Sequence, residues 1–153
     1  MSTLWYNPNI HPYTEHHNRL EAMKSLAKTM DFPLIVAEGY DIIDYFQKIA
    51  GHEADRCRHC FQLRLLKTAD TALKLGFAAF TTSLLISPHQ KHGLLLEIGS
   101  RLAEEKGISF LYADLRKRYS ESRHITKPLN LYRQQYCGCL YSEWERYANT
   151  ELE

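Results

Sequence analysis

Apolar residues fall along the chain in two alternating patterns. Residues 3–6 form a short, aromatic-rich apolar run that reads as a strand, and Asn7-Pro8-Asn9 stops it with a strong turn signal. Leu20, Met23, Ala27 and Met30 then recur at helical spacing, with Thr14 placed as a cap. Residues 34–37 read as a second strand. Asp41 is placed to cap a short helix carrying Ile42, Ile43, Phe46 and Ile49. From residue 60 to 75 the apolar positions Leu63, Leu66, Ala69 and Leu73 predict a helix that Gly76 ends. Residues 77–82 read as a third strand. Leu94, Ile98 and Leu102 mark a further helix closed by Gly107, and residues 108–112 a fourth strand.

Strands separated by helices, without hairpin turns, predict an α/β fold with a parallel sheet and right-handed crossovers. Sites in such folds lie beyond the carboxyl ends of the strands. Three unusual segments fall there: residues 7–12, 83–91 and 113–118. The chain of 153 residues is expected to form one domain, with no repeat, linker or low-complexity segment. Its hydrophobic fraction of 44% and charged fraction of 24% fit a globular protein rather than a disordered one. No run is long enough to cross a bilayer, and Met1 leads at once into the first strand, so no membrane partner and a cytoplasmic location are expected.

Charge adds one local feature. The balance of 19 basic against 18 acidic residues does not suggest a general nucleic-acid binder. Arg116, Lys117, Arg118, Arg123, His124, Lys127 and Arg133, however, come close together with few acids between them. They form either a phosphate-contacting patch or a solvated loop.

The four cysteines sit as two close pairs, which in an intracellular chain point to metal, cluster or redox chemistry. Cys57-Arg-His-Cys60 lies at a helix start, where the thiolate form is favoured. All four cysteines together suit a zinc site, and cysteine thiolates equally suit a [4Fe–4S] cluster. Cys137-Gly-Cys139 is awkward for one tetrahedral metal. A disulfide across it closes a small, strained ring, and strained disulfides tend to be the catalytic ones; two buried structural thiols is the plainer reading. Asn7, Asn9 and His11 lie in a proline-framed loop that either fixes substrate or is a rigid turn. Asp114, directly after the fourth strand, suits a metal ligand, a proton carrier or a cap. Trp5, Tyr132, Tyr136 and Tyr141 are aromatic faces for stacking a base or for packing.

Five strings in order, YNPNIHPYTEHHNRL, RCRHCFQLRL with TADTAL, FTTSLLISPHQK, FLYADLRKRY and LYRQQYCGCLYS, resemble the successive signatures of the QueH family of epoxyqueuosine reductases, from about residue 4 to about residue 142. The resemblance implies a Rossmann-like parallel sheet with flanking helices. It implies reduction of epoxyqueuosine to queuosine at the wobble position of tRNA, with a [4Fe–4S] cluster and a redox-active cysteine pair. Cys57 and Cys60 would be two cluster ligands, and Cys137 and Cys139 the redox pair. Position after the fourth strand adds Asp114 to the catalytic set; the loop residues Asn7, Asn9 and His11 and the basic residues Arg118, Lys127 and Arg133 are expected to face the tRNA, and an unidentified electron donor is a further partner. The family pattern opens with a strand and a CC-x-x-C turn supplying the other cluster cysteines. Here no cysteine precedes Cys57, so the first strand of the family fold and two ligands are expected to be missing. With that neighbour absent, the strand at residues 3–6 would keep an open edge, and the chain alone is expected to be marginally stable or to pair through that edge. Two other functions fit the cysteines, a zinc-binding RNA module and a thiol–disulfide oxidoreductase.

Overall fold

A computed structural model describes residues 1–148. The chain order is β1 (Thr3–Trp5), α1 (Tyr13–Thr29), β2 (Leu34–Val36), α2 (Ile42–Ile49), α3 (Arg56–Lys74), β3 (Ala79–Phe80), α4 (His92–Lys106), β4 (Ser109–Phe110), α5 (Tyr119–Thr126) and α6 (Leu140–Ala148). Two compact units result. One holds residues 1–54 with 127–148, the other Asp55–Thr126.

Each unit is built on a strand–helix–strand crossover. In the first, β1 and α1 lead to β2, which pairs parallel to β1 with Thr3 opposite Leu34 and Trp5 opposite Val36. In the second, β3 and α4 lead to β4, with Ala79 opposite Ser109. The fold class expected from the alternation, mixed α/β with parallel strands, is the one observed. The ladders are shorter than the apolar runs predict, two residues each for β3 and β4. An apolar run records burial; a ladder also needs a partner in register.

Local rules explain most boundaries, and two of them move. Thr14 does not cap α1. The cap position is Pro12, with φ −67°, and the helix begins at Tyr13. Proline's fixed φ suits a helix entrance, and its missing N–H costs nothing there. Asp41 does precede α2, yet its side chain makes no capping hydrogen bond and its backbone is left-handed, φ 41°. Gly76 and Gly107 end α3 and α4 with φ of +73° and +66°, as expected of C-terminal glycines. α3 begins at Arg56 rather than residue 60, so both Cys57 and Cys60 lie inside it.

The core of the second unit is apolar and contiguous: Phe61, Leu65, Ala69 and Ala72 of α3, Leu95, Ile98 and Leu102 of α4, with Phe80, Leu85 and Ile108. The buried α3 face therefore runs through 61, 65, 69 and 72, and Leu73, expected inside, is 41% exposed. α4 lies on β4 through Gly99. A Cβ there would stand 2.3 Å from Phe110 Cε1, well inside contact distance. Gly99→Ala should therefore cost about 1–3 kcal/mol through overpacking. Thermal unfolding of the variant should show a lower Tm; an unchanged Tm would mean that helix and ring stand further apart.

In the first unit the buried side of α1 is polar. Glu15, His16 and Arg19 are buried with Ala27, whereas Met30 is 54% exposed. Burying such groups is tolerable only when they are hydrogen-bonded, and their partners define the candidate site.

Candidate active site

The loop after β1 carries two of the expected site residues to full burial. Asn9 and His11 are each 2% exposed. The His11 ring lies between aromatic neighbours, stacked on Phe46 at 4.7 Å and tilted against Tyr45 at 5.1 Å. Its Nε2–H donates to Pro8 O at 3.0 Å, so in the neutral ring Nδ1 carries no proton and has no hydrogen-bond partner. Burial pulls the His11 pKa down to about 4, against a smaller upward pull from that hydrogen bond. The loop is therefore a rigid, neutral element at neutral pH. Asn7, the third expected residue here, is half-buried.

The Cys137-Gly138-Cys139 turn rests on this loop. His11 N–H donates to Gly138 O at 2.8 Å. Gly138 has φ +145°, and a Cβ on it would lie 3.0 Å from Ile10 Cγ1 and 3.3 Å from Asn9 Nδ2. Both the backbone angle and the close approach require glycine. Tyr136 O–H donates to His11 O, and burial raises the Tyr136 pKa to about 12, so this hydroxyl stays a donor. Cys137 is exposed and Cys139 buried. Cys139 sits just before α6: its carbonyl accepts from Ser142 Oγ at 2.7 Å and from Glu143 N, and Ser142 N–H reaches its sulfur at 3.4 Å.

Arg19 holds the approach to this turn. It is 7% exposed and uses every face of its guanidinium. Nε donates to Glu15 Oε1 at 2.7 Å, Nη1 to Gln134 Oε1 and Cys137 O at 3.0 Å each, and Nη2 to Tyr136 O at 3.1 Å. The group also lies 5.2 Å over the Tyr136 ring. Tyr132 O–H donates to the other Glu15 oxygen, which raises the Tyr132 pKa. The buried ion pair is thus satisfied at both ends. Sequence reasoning passed over Glu15 and Arg19. Their four-residue spacing was the one available signal, and on a helix it reads first as an exposed ion pair.

In the second unit, Cys57 and Cys60 lie within the first two turns of α3, three residues apart and so on neighbouring positions of one face. Cys60 is buried and Cys57 packs against the core. A [4Fe–4S] cluster takes four thiolates. Among the described residues no group of three or more His, Cys, Asp and Glu is arranged to hold a metal ion. The described residues thus offer half of that donor set and do not complete it.

Asp114 is exposed and fully engaged by Arg116. It accepts from Arg116 N at 3.2 Å and Arg116 Nε at 2.8 Å. Those bonds hold its carboxyl well below the usual carboxylate range. Asp114 thereby tethers the 3₁₀ turn Arg116–Arg118. Arg118, Lys127 and Arg133 are all exposed, Arg118 with Glu121 at 3.9 Å. Arg118 belongs to the second unit, and Lys127 and Arg133 to the first.

Comparison with known proteins decides the family. The model of the family described as "Epoxyqueuosine reductase QueH" matches residues 1–145. The chain belongs to the QueH family. It is 55% identical over 148 residues to the epoxyqueuosine reductase QueH of Dehalococcoides mccartyi, covering 97% of this chain and 81% of that one. It is 34% identical to the QueH protein of Thermotoga maritima, covering 93% and 79%. The QueH protein of Haemophilus influenzae is 38% identical, with 90% and 59% covered. The match to the QueH family model takes in both cysteine pairs, the loop at residues 7–12 and the Arg19 network.

Proposed function

We propose that the chain reduces epoxyqueuosine to queuosine in tRNA, with Cys137 and Cys139 as the redox-active pair. The observation that carries this reading, beside QueH membership, is the seating of the Cys137–Cys139 turn. A glycine at φ +145° brings the pair onto the buried Asn9–His11 loop, and Arg19 fixes the carbonyls of Tyr136 and Cys137.

The net reaction removes the epoxide oxygen as water. Both C–O bonds break, a C=C bond forms, and two electrons and two protons are consumed. Oxidation of a dithiol to a disulfide releases two electrons and two protons, so the pair balances one turnover. An external donor of two electrons and two protons then restores the dithiol. Cys57 and Cys60 are proposed as two ligands of a [4Fe–4S] cluster, which when bound supplies one-electron transfer and a Lewis-acidic iron. Asp114 is proposed as a further member of the catalytic set, its carboxylate held by Arg116. A tRNA substrate fits a cytoplasmic protein, and among the described residues no helix is long and apolar enough to cross a membrane.

The direct test is anaerobic reconstitution with iron and sulfide, followed by incubation with epoxyqueuosine-tRNA and a chemical reductant. Nucleoside mass analysis should show loss of one oxygen from the modified base. A reconstituted, reduced protein that leaves the base untouched would refute the proposal.

Exposed Arg118, Lys127 and Arg133 are proposed to contact tRNA phosphates, together with Asn7, Asn9 and His11 supporting the loop beneath the substrate. Arg118→Glu or Lys127→Glu should weaken tRNA binding and flatten its salt dependence through lost counterion release. Should affinity and salt slope both stay at the wild-type values, these side chains are only a solvated face.

A further inference from the structure

The first unit contains a cavity of about 330 Å³ whose lining includes none of the cysteines. It opens at the carboxyl ends of β1 and β2. Tyr6, Asn7 and Pro8 line it from the segment after β1, Ala37, Gly39 and Tyr40 from the segment after β2, and Tyr13, His16 and His17 from the first turns of α1. Ligands of parallel α/β units bind at that end of the strands, and the volume lies in the range of small-molecule sites.

Its walls define the ligand chemistry. Half of the lining residues are aromatic: Trp5, Tyr6, Tyr13, His16, His17 and Tyr40. Among the described residues no Asp, Glu, Lys or Arg lines it, which disfavours a phosphate, a carboxylate or a metal ion as occupant. Tyr6, Asn7, Tyr40 and the Trp5–His16 pair supply uncharged polar groups. Trp5 Nε1–H donates to His16 Nε2 at 3.2 Å. An indole nitrogen can only donate, so His16 must carry its proton on Nδ1. Burial lowers the His16 pKa, which keeps the ring neutral. The Tyr40 hydroxyl is already committed to Ile10 O. Tyr13 stands at the rim, 61% exposed, its ring within 27° of parallel to His17 and within 22° of parallel to His16. An aromatic enclosure with a few neutral hydrogen-bonding groups is suited to a planar, uncharged heterocycle.

We infer that this cavity is a nucleobase-binding site, with Tyr13 as the rim residue on which the base stacks. The inference rests on the reading of the protein as a tRNA-modifying enzyme and adds to it a place for one base of the RNA. That base is either the modified 7-deazapurine itself or a neighbour in the anticodon loop, and both offer the same planar chemistry.

The test is titration of the full chain with 7-deazaguanosine and, separately, uridine, read from the imidazole NMR signals of His16 and His17. One nucleoside should shift both signals. Preference for 7-deazaguanosine identifies the reacting base, and preference for uridine a flanking one. Tyr13→Ala should weaken that binding about tenfold, in line with loss of one stacking face. Tyr13→Phe, which keeps the ring, should bind as the wild type does. With epoxyqueuosine-tRNA the alanine variant should raise KM about tenfold and leave kcat in place. Absent shifts with both nucleosides, or equal affinity in Tyr13→Ala, would overturn the inference. The two readings fail separately. A wild-type protein that binds the nucleoside through Tyr13 but cannot reduce the tRNA loses the proposed reaction and keeps the base site. One that reduces the tRNA with the same KM as Tyr13→Ala loses the base site and keeps the reaction.

Discussion

Cys137→Ser and Cys139→Ser are each expected to abolish reduction of epoxyqueuosine-tRNA while leaving reconstituted iron content unchanged. The electron balance needs both sulfurs, because a single thiol supplies one of the two electrons and cannot close an intramolecular disulfide. The two positions also differ. Cys137 is exposed and Cys139 is buried against the start of α6, so Cys137 is the sulfur that an incoming reductant meets and Cys139 the one it releases. Serine is close in size to cysteine and keeps the Gly138 contacts, so the variants should fold as the parent does. Turnover by nucleoside mass analysis and iron content by colorimetry are read on the same samples. Loss of iron in either variant would make that cysteine a ligand and end its assignment to the redox pair.

The second large effect is on stability. Arg19→Leu leaves the Glu15 carboxylate buried without its cation and strips the carbonyls of Tyr136 and Cys137 of their donors. Breaking one side of a buried pair costs about 3–5 kcal/mol, which for a chain of this size lowers Tm by about 10 °C. The double variant Glu15→Leu/Arg19→Leu removes the stranded charge and should recover part of the loss. Turnover should stay low in both, because the clamp on the Cys137 carbonyl is gone in each. A double variant restored in stability and in kcat alike would show that Arg19 does nothing for the turn beyond keeping it folded.

The contrast between these two sites shows what the sequence made legible. Cys137-Gly-Cys139 stood out because its spacing is chemically unusual wherever it lies. Cys57 and Cys60 were placed near a helix start and lie within the first two turns of α3. The alternation of helices and strands was readable because amphipathic spacing is a local property. Arg19 was not readable, because a Glu and an Arg four apart on a helix look like an exposed pair until Tyr136 and Cys137 close over them from more than a hundred residues away. Strand lengths were overdrawn for a related reason: residues 77–82 read as one apolar run, yet only Ala79 and Phe80 find a partner in register, and Phe77 is exposed. Ile125 of α5 and Trp144 and Tyr147 of α6 are exposed, so apolar spacing in these segments did not mark a buried face.

The division of the chain between two units bears on how the protein is made. Asp55–Thr126 is continuous in sequence and holds its own apolar core, so it can form as soon as it leaves the ribosome. The other unit cannot. Arg19 and Glu15 emerge early, and the carbonyls that satisfy Arg19 follow 117 and 118 residues later. Throughout that interval a helix with a charged inner face waits without its partners, exposed to proteases and to wrong pairings. The cysteine turn and α6 are therefore the last described pieces of that unit to be delivered, so a nascent chain stalled before residue 136 would carry one finished unit and one unclosed one.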